Sequence, residues 1–161
     1  MREVKKIADY FPSEARVVLD LFGNSSDFYE LMTVEDKIYY NTKEEDLGPI
    51  KSKTDCEIEC SHMHFSEMLY LTDQMGIDDL VLAVIPKREK YWNTIQEDLL
   101  FKCLKDIHYK EIPFAVITDV NSVNANIWGQ VFIMEEVIFK EKKYLLITNL
   151  IEKENLQYAQ R

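Results

Sequence analysis

Glycine and proline are scarce in this chain, with four of each among 161 residues. That scarcity excludes whole classes of site. No Gly-x-Gly-x-x-Gly turn occurs, and no glycine-rich loop ends in Lys-Ser or Lys-Thr, so a nucleotide-phosphate cradle is not expected. A Gly-x-Ser-x-Gly elbow and a His-Glu-x-x-His helix are also missing, which removes two common hydrolase signatures. Long apolar runs are missing too. "LVLAVI" (80–85) and "YLLI" (144–147) are the longest, far short of the roughly 20 residues that span a bilayer. The first residues, "MREVKKIADYF", carry charge but no apolar stretch of the kind a secretory signal has. Three cysteines make an odd number without framework spacing. The thiols are therefore expected to be reduced, in a cytoplasmic protein with no disulfide and no membrane segment.

What the chain does have is acidic charge, and it is localised. The net charge is −10. Residues 1–33 hold 6 acidic and 4 basic side chains, residues 34–80 hold 12 and 4, and residues 81–161 hold 11 of each. The middle third thus carries most of the excess. A field of one sign repels nucleic acid and anionic lipid and attracts basic protein surfaces. It also keeps a small domain dispersed, which is the plainer explanation.

The length fits one domain spanning residues 1–161. Helical spacing places Val4, Ile7 and Ala8 on one face of "REVKKIADYF". It does the same for Ala15, Val18, Leu19 and Phe22 of "PSEARVVLDLF", with Gly23 as the stop. Residues 1–33 therefore read as a helical cap. "KIYYN" (37–41) reads as a strand, "TKEEDLGPIKSKTD" (42–55) as a charged loop, and "CEIECSHMHF" (56–65) as a strand paired antiparallel with the first. "SEMLYLTDQMG" (66–76) reads as a short helix, and "DDLVLAVIP" (78–86) as a strand covered on both faces. The pattern predicts a long helix over 88–109. Its stripe runs through Trp92, Ile95, Leu99, Cys103 and Ile107, widened by Leu100 and Leu104. "PFAVITDV" (113–120) is a further buried strand. "IWGQVFIMEEVIF" (127–139) and "YLLITNL" (144–150) read as a hairpin around the "KEKK" turn. The expected fold is α+β: a mixed, mostly antiparallel sheet of about six strands, N-terminal helices, and the long helix 88–109 packed on the sheet.

One segment is rich in potential ligands. On a strand through 56–65, residues two apart share a face, so Cys56, Ile58, Cys60, His62 and His64 point one way and Glu57 and Glu59 the other. His62, His64 and Cys60 could together hold a metal ion. A closed zinc site needs three or four ligands, however, and the remaining histidine is His108, at the end of the long helix. A packed strand face of Cys, Ile and His explains the same letters. The 29 acidic residues also make carboxylate pairs inevitable. A metal-dependent nuclease, though, would need basic residues for its substrate beside them.

The acidic residues of the middle third are then the candidate site. Glu35, Asp36, Glu44, Glu45, Asp46, Asp55, Glu57, Glu59, Asp78 and Asp79 fall on the expected hairpin, its long tip and the next strand entrance. If those strands are neighbours, the carboxylates form one face, complementary to a basic groove. In general character the chain resembles single-domain acidic immunity proteins and phage-encoded inhibitors, which implies toxin neutralisation through protein–protein contact. The expectation is thus an inhibitor of a basic partner, such as a nuclease toxin or another nucleic-acid-processing enzyme. It would bind no nucleic acid directly, need no cofactor and carry no catalytic residues. A metal-binding domain or metal-dependent enzyme built on His62, His64 and Cys60 is one alternative. An adaptor or homodimeric module is another.

Overall fold

The computed structural model of the chain describes residues 2–3, 17–22, 37–40, 57–60, 63–75, 79–85, 92–119 and 121–149. Among the described residues eight strands lie in one sheet: β1 (Arg2–Glu3), β2 (Val17–Asp20), β3 (Lys37–Tyr40), β4 (Glu57–Cys60), β5 (Asp79–Val84), β6 (Phe114–Thr118), β7 (Ile133–Phe139) and β8 (Lys142–Thr148). The helices are α1 (Phe65–Leu71), continued by a 3-10 turn at Thr72–Gln74, then α2 (Thr94–Tyr109) and α3 (Ala125–Trp128). The sheet order is β1-β7-β8-β6-β5-β2-β3-β4.

A single mixed sheet accompanied by helices is what the sequence suggests, but its composition differs from the expectation. Five neighbouring pairs are parallel: β1–β7, β2–β3, β2–β5, β3–β4 and β5–β6. Two are antiparallel, β6–β8 and β7–β8. The sheet is mostly parallel, with eight strands where about six were expected. The physical reason lies in two segments. "VVLD", assigned to a helix within the N-terminal cap, is strand β2, and β1 is likewise a strand within that cap. The run 17–22 is apolar apart from Asp20, and at that length a buried strand and a buried helix look alike. The second segment is the pair β3 and β4. They are parallel neighbours, not a hairpin, and the residues 41–56 between them are numerous enough for the crossover that parallel pairing requires.

Burial follows from this arrangement. Leu19 and Leu21, Val81, Ala83 and Ile85, Phe114 and Val116, and Leu145 and Ile147 alternate along β2, β5, β6 and β8, and they belong to one buried cluster. Met68 of α1 and Leu100, Leu104 and Ile107 of α2 pack into the same cluster. On the other face Val18, Asp20, Val84, Ala115, Ile117, Leu146 and Thr148 are buried as well. A central parallel sheet covered on both faces reads as continuous apolar runs for this reason.

Helix α2 is capped by Asn93, whose side-chain oxygen accepts from the backbone N–H of Ile95 at 2.9 Å and of Gln96 at 3.1 Å. Past its far end Glu111 adopts φ 62°, and the Ile112 N–H reaches back to the Ile107 carbonyl, a left-handed closure made here without glycine. The buried face of α2 is Leu100, Leu104 and Ile107. Ile95 is 71% exposed and Leu99 42%, so the apolar stripe is rotated relative to the one the spacing suggests. The β7–β8 connection is Lys140-Glu141 with φ 49° and 67°. Positive φ at both positions makes a two-residue turn whose twist suits a hairpin.

Candidate functional site

The chain leaves β2 towards β3 and β4 on one side of the sheet, then resumes on the other side with β5 and β6. All five strands run parallel. The order therefore reverses between β2 and β5. In open sheets wound this way, the crevice outside the carboxyl ends of the strands at that reversal is where ligands bind. The parallel strands point their carboxyl ends to one edge, so the residues that can line the crevice follow directly from the register.

At that edge β2 ends on Asp20, which is fully buried, followed by buried Leu21 and half-buried Phe22. β5 ends beside β6. The Ile85 N–H donates to the Ile117 carbonyl at 2.9 Å, and the Thr118 hydroxyl donates to the Ile85 carbonyl at 3.4 Å. These bonds satisfy buried polar groups that would otherwise weaken the strand ends. Asp119, half-buried, follows Thr118, and its carbonyl accepts from the Ser122 N–H in a turn.

Two further segments converge here. Trp92, just ahead of the α2 cap, donates its indole N–H to the Ser122 carbonyl at 2.7 Å. Its ring meets that of Phe22 edge-on, with centroids 5.8 Å apart and an interplanar angle of 73°. The segments that follow β2, β5 and β6 are thus joined through one aromatic pair. A second clamp holds the segment after β6. One carboxylate oxygen of Glu97 accepts from the Asn124 N–H at 2.5 Å and from the Trp128 indole N–H at 3.1 Å. The loop after β6 is therefore fixed to the first turns of α2 at two points.

Sequence reasoning missed Asp20, Phe22 and Trp92 as site residues. The signal for the first two was the run "VVLDLFG", two β-branched residues leading to an acid and a glycine. That run fits a strand entering a turn as well as it fits a helix. Trp92 was assigned to the apolar stripe of the long helix; it precedes α2 and is half-buried.

The acidic candidates do not gather there. Glu57 and Glu59 are exposed on β4, at one end of the strand order. Asp79 opens β5 and pairs in register with Val17 of β2, while Lys37 of β3 pairs with Glu57. Two strands, β2 and β3, thus separate Glu57 from Asp79, about 14 Å across the sheet at the usual strand spacing. Both lie towards the amino ends of their strands, the edge opposite the crevice. The neighbouring strands that the acidic-face expectation requires are therefore not all neighbours. Glu35, Asp36, Glu44, Glu45, Asp46, Asp55 and Asp78 lie outside the described residues.

The ligand-rich strand is shorter than expected, because β4 closes at Cys60. His64 directly precedes α1, where its carbonyl accepts from the N–H groups of Glu67 and Met68 at 2.9 and 3.1 Å. The two-residue alternation that would align His64 with Cys60 does not extend that far. His62 lies outside the described residues. Among the described residues no three His, Cys, Asp or Glu side chains are grouped so as to hold a metal ion, and no helix is long and apolar enough to cross a membrane. Cys103 is a free thiol on α2. Burial pushes its pKa up, a contact from Thr72 draws it down, and the nearby Asp106 and Asp73 carboxylates add to the rise.

No protein-family model matches the chain, and no curated protein matches it either. Among solved structures it is similar to TrmN from Thermus thermophilus, with 15% identity and a TM-score of 0.47 over 88% of this chain and 45% of that one. The chain thus spans under half the length of that structure. It is also similar to an rRNA methylase from Streptococcus thermophilus, with 11% identity and a TM-score of 0.48 over 88% of this chain and 90% of that one. These findings overturn the expectation of an immunity-like or phage-type inhibitor of a nuclease toxin. With it go the attached exclusion of nucleic acid and the toxin-neutralisation role, since the structures this chain resembles are a TrmN and an rRNA methylase. The similarity is one of fold.

Proposed function

We propose that this chain binds a small nucleoside-type ligand, one without a pyrophosphate, at the carboxyl edge of its sheet between β2 and β5. The observation that carries the reading is the strand order, in which parallel β4-β3-β2 and β5-β6 diverge from one reversal point. Crevices at such points are the ordinary ligand sites of doubly wound sheets. This departs from the expectation that the protein needs no cofactor.

The absence of pyrophosphate is read from the sequence that follows β2. A dinucleotide crevice places three glycines there, so that backbone N–H groups can close on the phosphates. Here the letters are Leu21-Phe22-Gly23-Asn24-Ser25-Ser26, with one glycine. β2 also ends on the buried Asp20, an acceptor when ionised, where a phosphate needs donors. The reading takes residues 1–161 as one domain, in keeping with the single sheet. It assigns the protein to the cytoplasm, in keeping with the free thiol of Cys103.

S-adenosylmethionine is a suitable probe, being an adenosine derivative that carries no phosphate. Thermal unfolding would be followed with S-adenosylmethionine, adenosine, ATP and NAD. Either of the first two, present at a hundred times its dissociation constant, should stabilise the protein by about 2.7 kcal/mol. The phosphate-bearing pair should do less. A shift with NAD as large as that with adenosine would remove the no-pyrophosphate part. No shift with any of the four would remove the site.

A further inference from the structure

Helix α2 packs on the sheet through Leu100, Leu104 and Ile107. Its opposite side carries a second repeat, made of Ile95, Leu99, Lys102, Asp106 and Tyr109. The steps are alternately four and three residues, which is the spacing of the a and d positions in a coiled coil. All five residues are exposed. Among them Tyr109 reaches 79% and Ile95 71%. Single exposed apolar residues are ordinary on a protein surface. Here three large ones share one stripe with a lysine and an acid between them.

The charged residues decide what can cover the stripe. Lys102 precedes Asp106 by one turn, the less favourable order for a pair within one helix. Among the described residues neither forms an ion pair inside the chain. Charges at seam positions select the direction and register of a partner helix. Two copies of α2 side by side in parallel would set Lys102 against Lys102 and Asp106 against Asp106. Turned antiparallel about a two-fold axis level with Leu104, they set Lys102 against Asp106 twice. The same register sets Leu99 against Tyr109 twice, because both pairs are centred on residue 104. One orientation is thus self-complementary in charge and in apolar contact together, as an isologous interface must be. Opposed helix dipoles favour the same orientation.

We infer that the outward face of α2 is an assembly surface whose occupant is α2 of a second copy of this chain, packed antiparallel. Leu99 of each copy meets Tyr109 of the other, with Ile95 one turn away against the same ring. Two Lys102–Asp106 pairs stand between these apolar contacts. The surface lies on the side of α2 turned away from the sheet, so it is additional to the ligand site and independent of it. The seam from Ile95 to Tyr109 is about 21 Å long. That is short for an interface, so the dimer belongs to the weak, micromolar class.

The test is sedimentation of the full chain across the micromolar range, where self-association shows as a rise in mass towards that of two chains. Lys102→Asp and Asp106→Lys each turn two attractive contacts into two repulsive ones, and each should weaken the dimer at least about tenfold. The double variant with both changes restores two opposite pairs and should return the dimer close to native strength. Leu99→Lys puts a charge against Tyr109 and should leave a monomer throughout. Circular dichroism checks that each variant folds. The charge swap stands on two exposed residues, so it decides the case even if Leu99→Lys does not fold. A native chain that stays monomeric at every concentration overturns the inference. So does a dimer indifferent to both single reversals, which would join through another surface. Single reversals that weaken the dimer without rescue by the double variant overturn the antiparallel register, and the inference with it.

Discussion

The two flanks of the sheet are built on different principles. On one side β6, β8 and β7 pair antiparallel, the last two over seven residues each and through a two-residue turn. On the other side β2, β3 and β4 are four-residue strands in parallel. The first flank gains its contacts from residues near in sequence, and the second must close long crossovers before any pairing rewards it. The aromatic cluster lies with the first flank. Phe132 meets Phe114 at 4.9 Å, Phe101 at 5.5 Å and Trp128 at 5.9 Å. The candidate crevice lies at the seam, where β2 meets β5.

The largest expected effect tests whether the flanks are equally firm. Phe114 is fully buried on β6, and Phe114→Ala should cost about 3–5 kcal/mol through lost contacts and the cavity left behind. Leu19 is buried on β2, and Leu19→Ala should cost about 2–5 kcal/mol if that flank unfolds together with the rest. Amide exchange separates the cases. If the parallel flank can open by itself while depending on the other, Leu19→Ala will speed exchange in β3 and β4 and leave β6 and β8 protected, while Phe114→Ala will speed exchange everywhere. Uniform acceleration in both variants would show one cooperative sheet and erase the contrast.

The same contrast governs what the sequence made legible. The β7–β8 hairpin, β5 and β6 were recognisable because their signals are local: unbroken apolar runs and a turn. For β2 the signal was ambiguous. Val18, Leu19 and Leu21 are buried and only Asp20 interrupts the apolar run, and a run of that length has no period to distinguish helix from strand. Direction was harder still. Nothing in residues 37–40 and 57–60 themselves says whether they pair parallel or antiparallel, since that depends on the path of the residues between them. Once β2 is placed between β3 and β5, the strands that carry the assumed acidic face are no longer all neighbours. Trp92 was legible as a letter of an amphipathic helix. Its place ahead of α2, against Phe22 and the Ser122 carbonyl, follows only from the three-dimensional structure.

A middling effect probes the join between β6 and β8. Asn149 accepts from the Phe114 N–H at 3.1 Å and donates to the Ile112 carbonyl at 2.8 Å, pinning the end of β8 to the start of β6. Asn149→Ala leaves both backbone groups to find other partners and should cost about 1–3 kcal/mol in urea unfolding. Asn149→Asp should keep the acceptor and lose the donor, and fall between the two. A loss below about 0.5 kcal/mol would mean that water replaces the clamp, making this flank less dependent on specific polar contacts than the geometry implies.

The smallest effect lies where α2 meets the turn that follows α1. Cys103 Sγ is 3.7 Å from the Thr72 hydroxyl, and burial is the main reason its pKa is raised. A thiol that holds its proton more tightly in the folded state than in the unfolded one contributes stability fully below the unfolded pKa, about 8.5. That contribution is lost as pH rises through the higher folded value. The melting temperature should therefore fall more steeply above about pH 8.5 in the native chain than in Cys103→Ala, which has nothing there to titrate. At pH 7 the two should differ only by the packing lost. Parallel curves through the alkaline range would mean that the thiolate finds water at this seam. The contact between α1 and α2 would then open more readily than the β6–β8–β7 flank, the same ordering that amide exchange reads on the sheet itself.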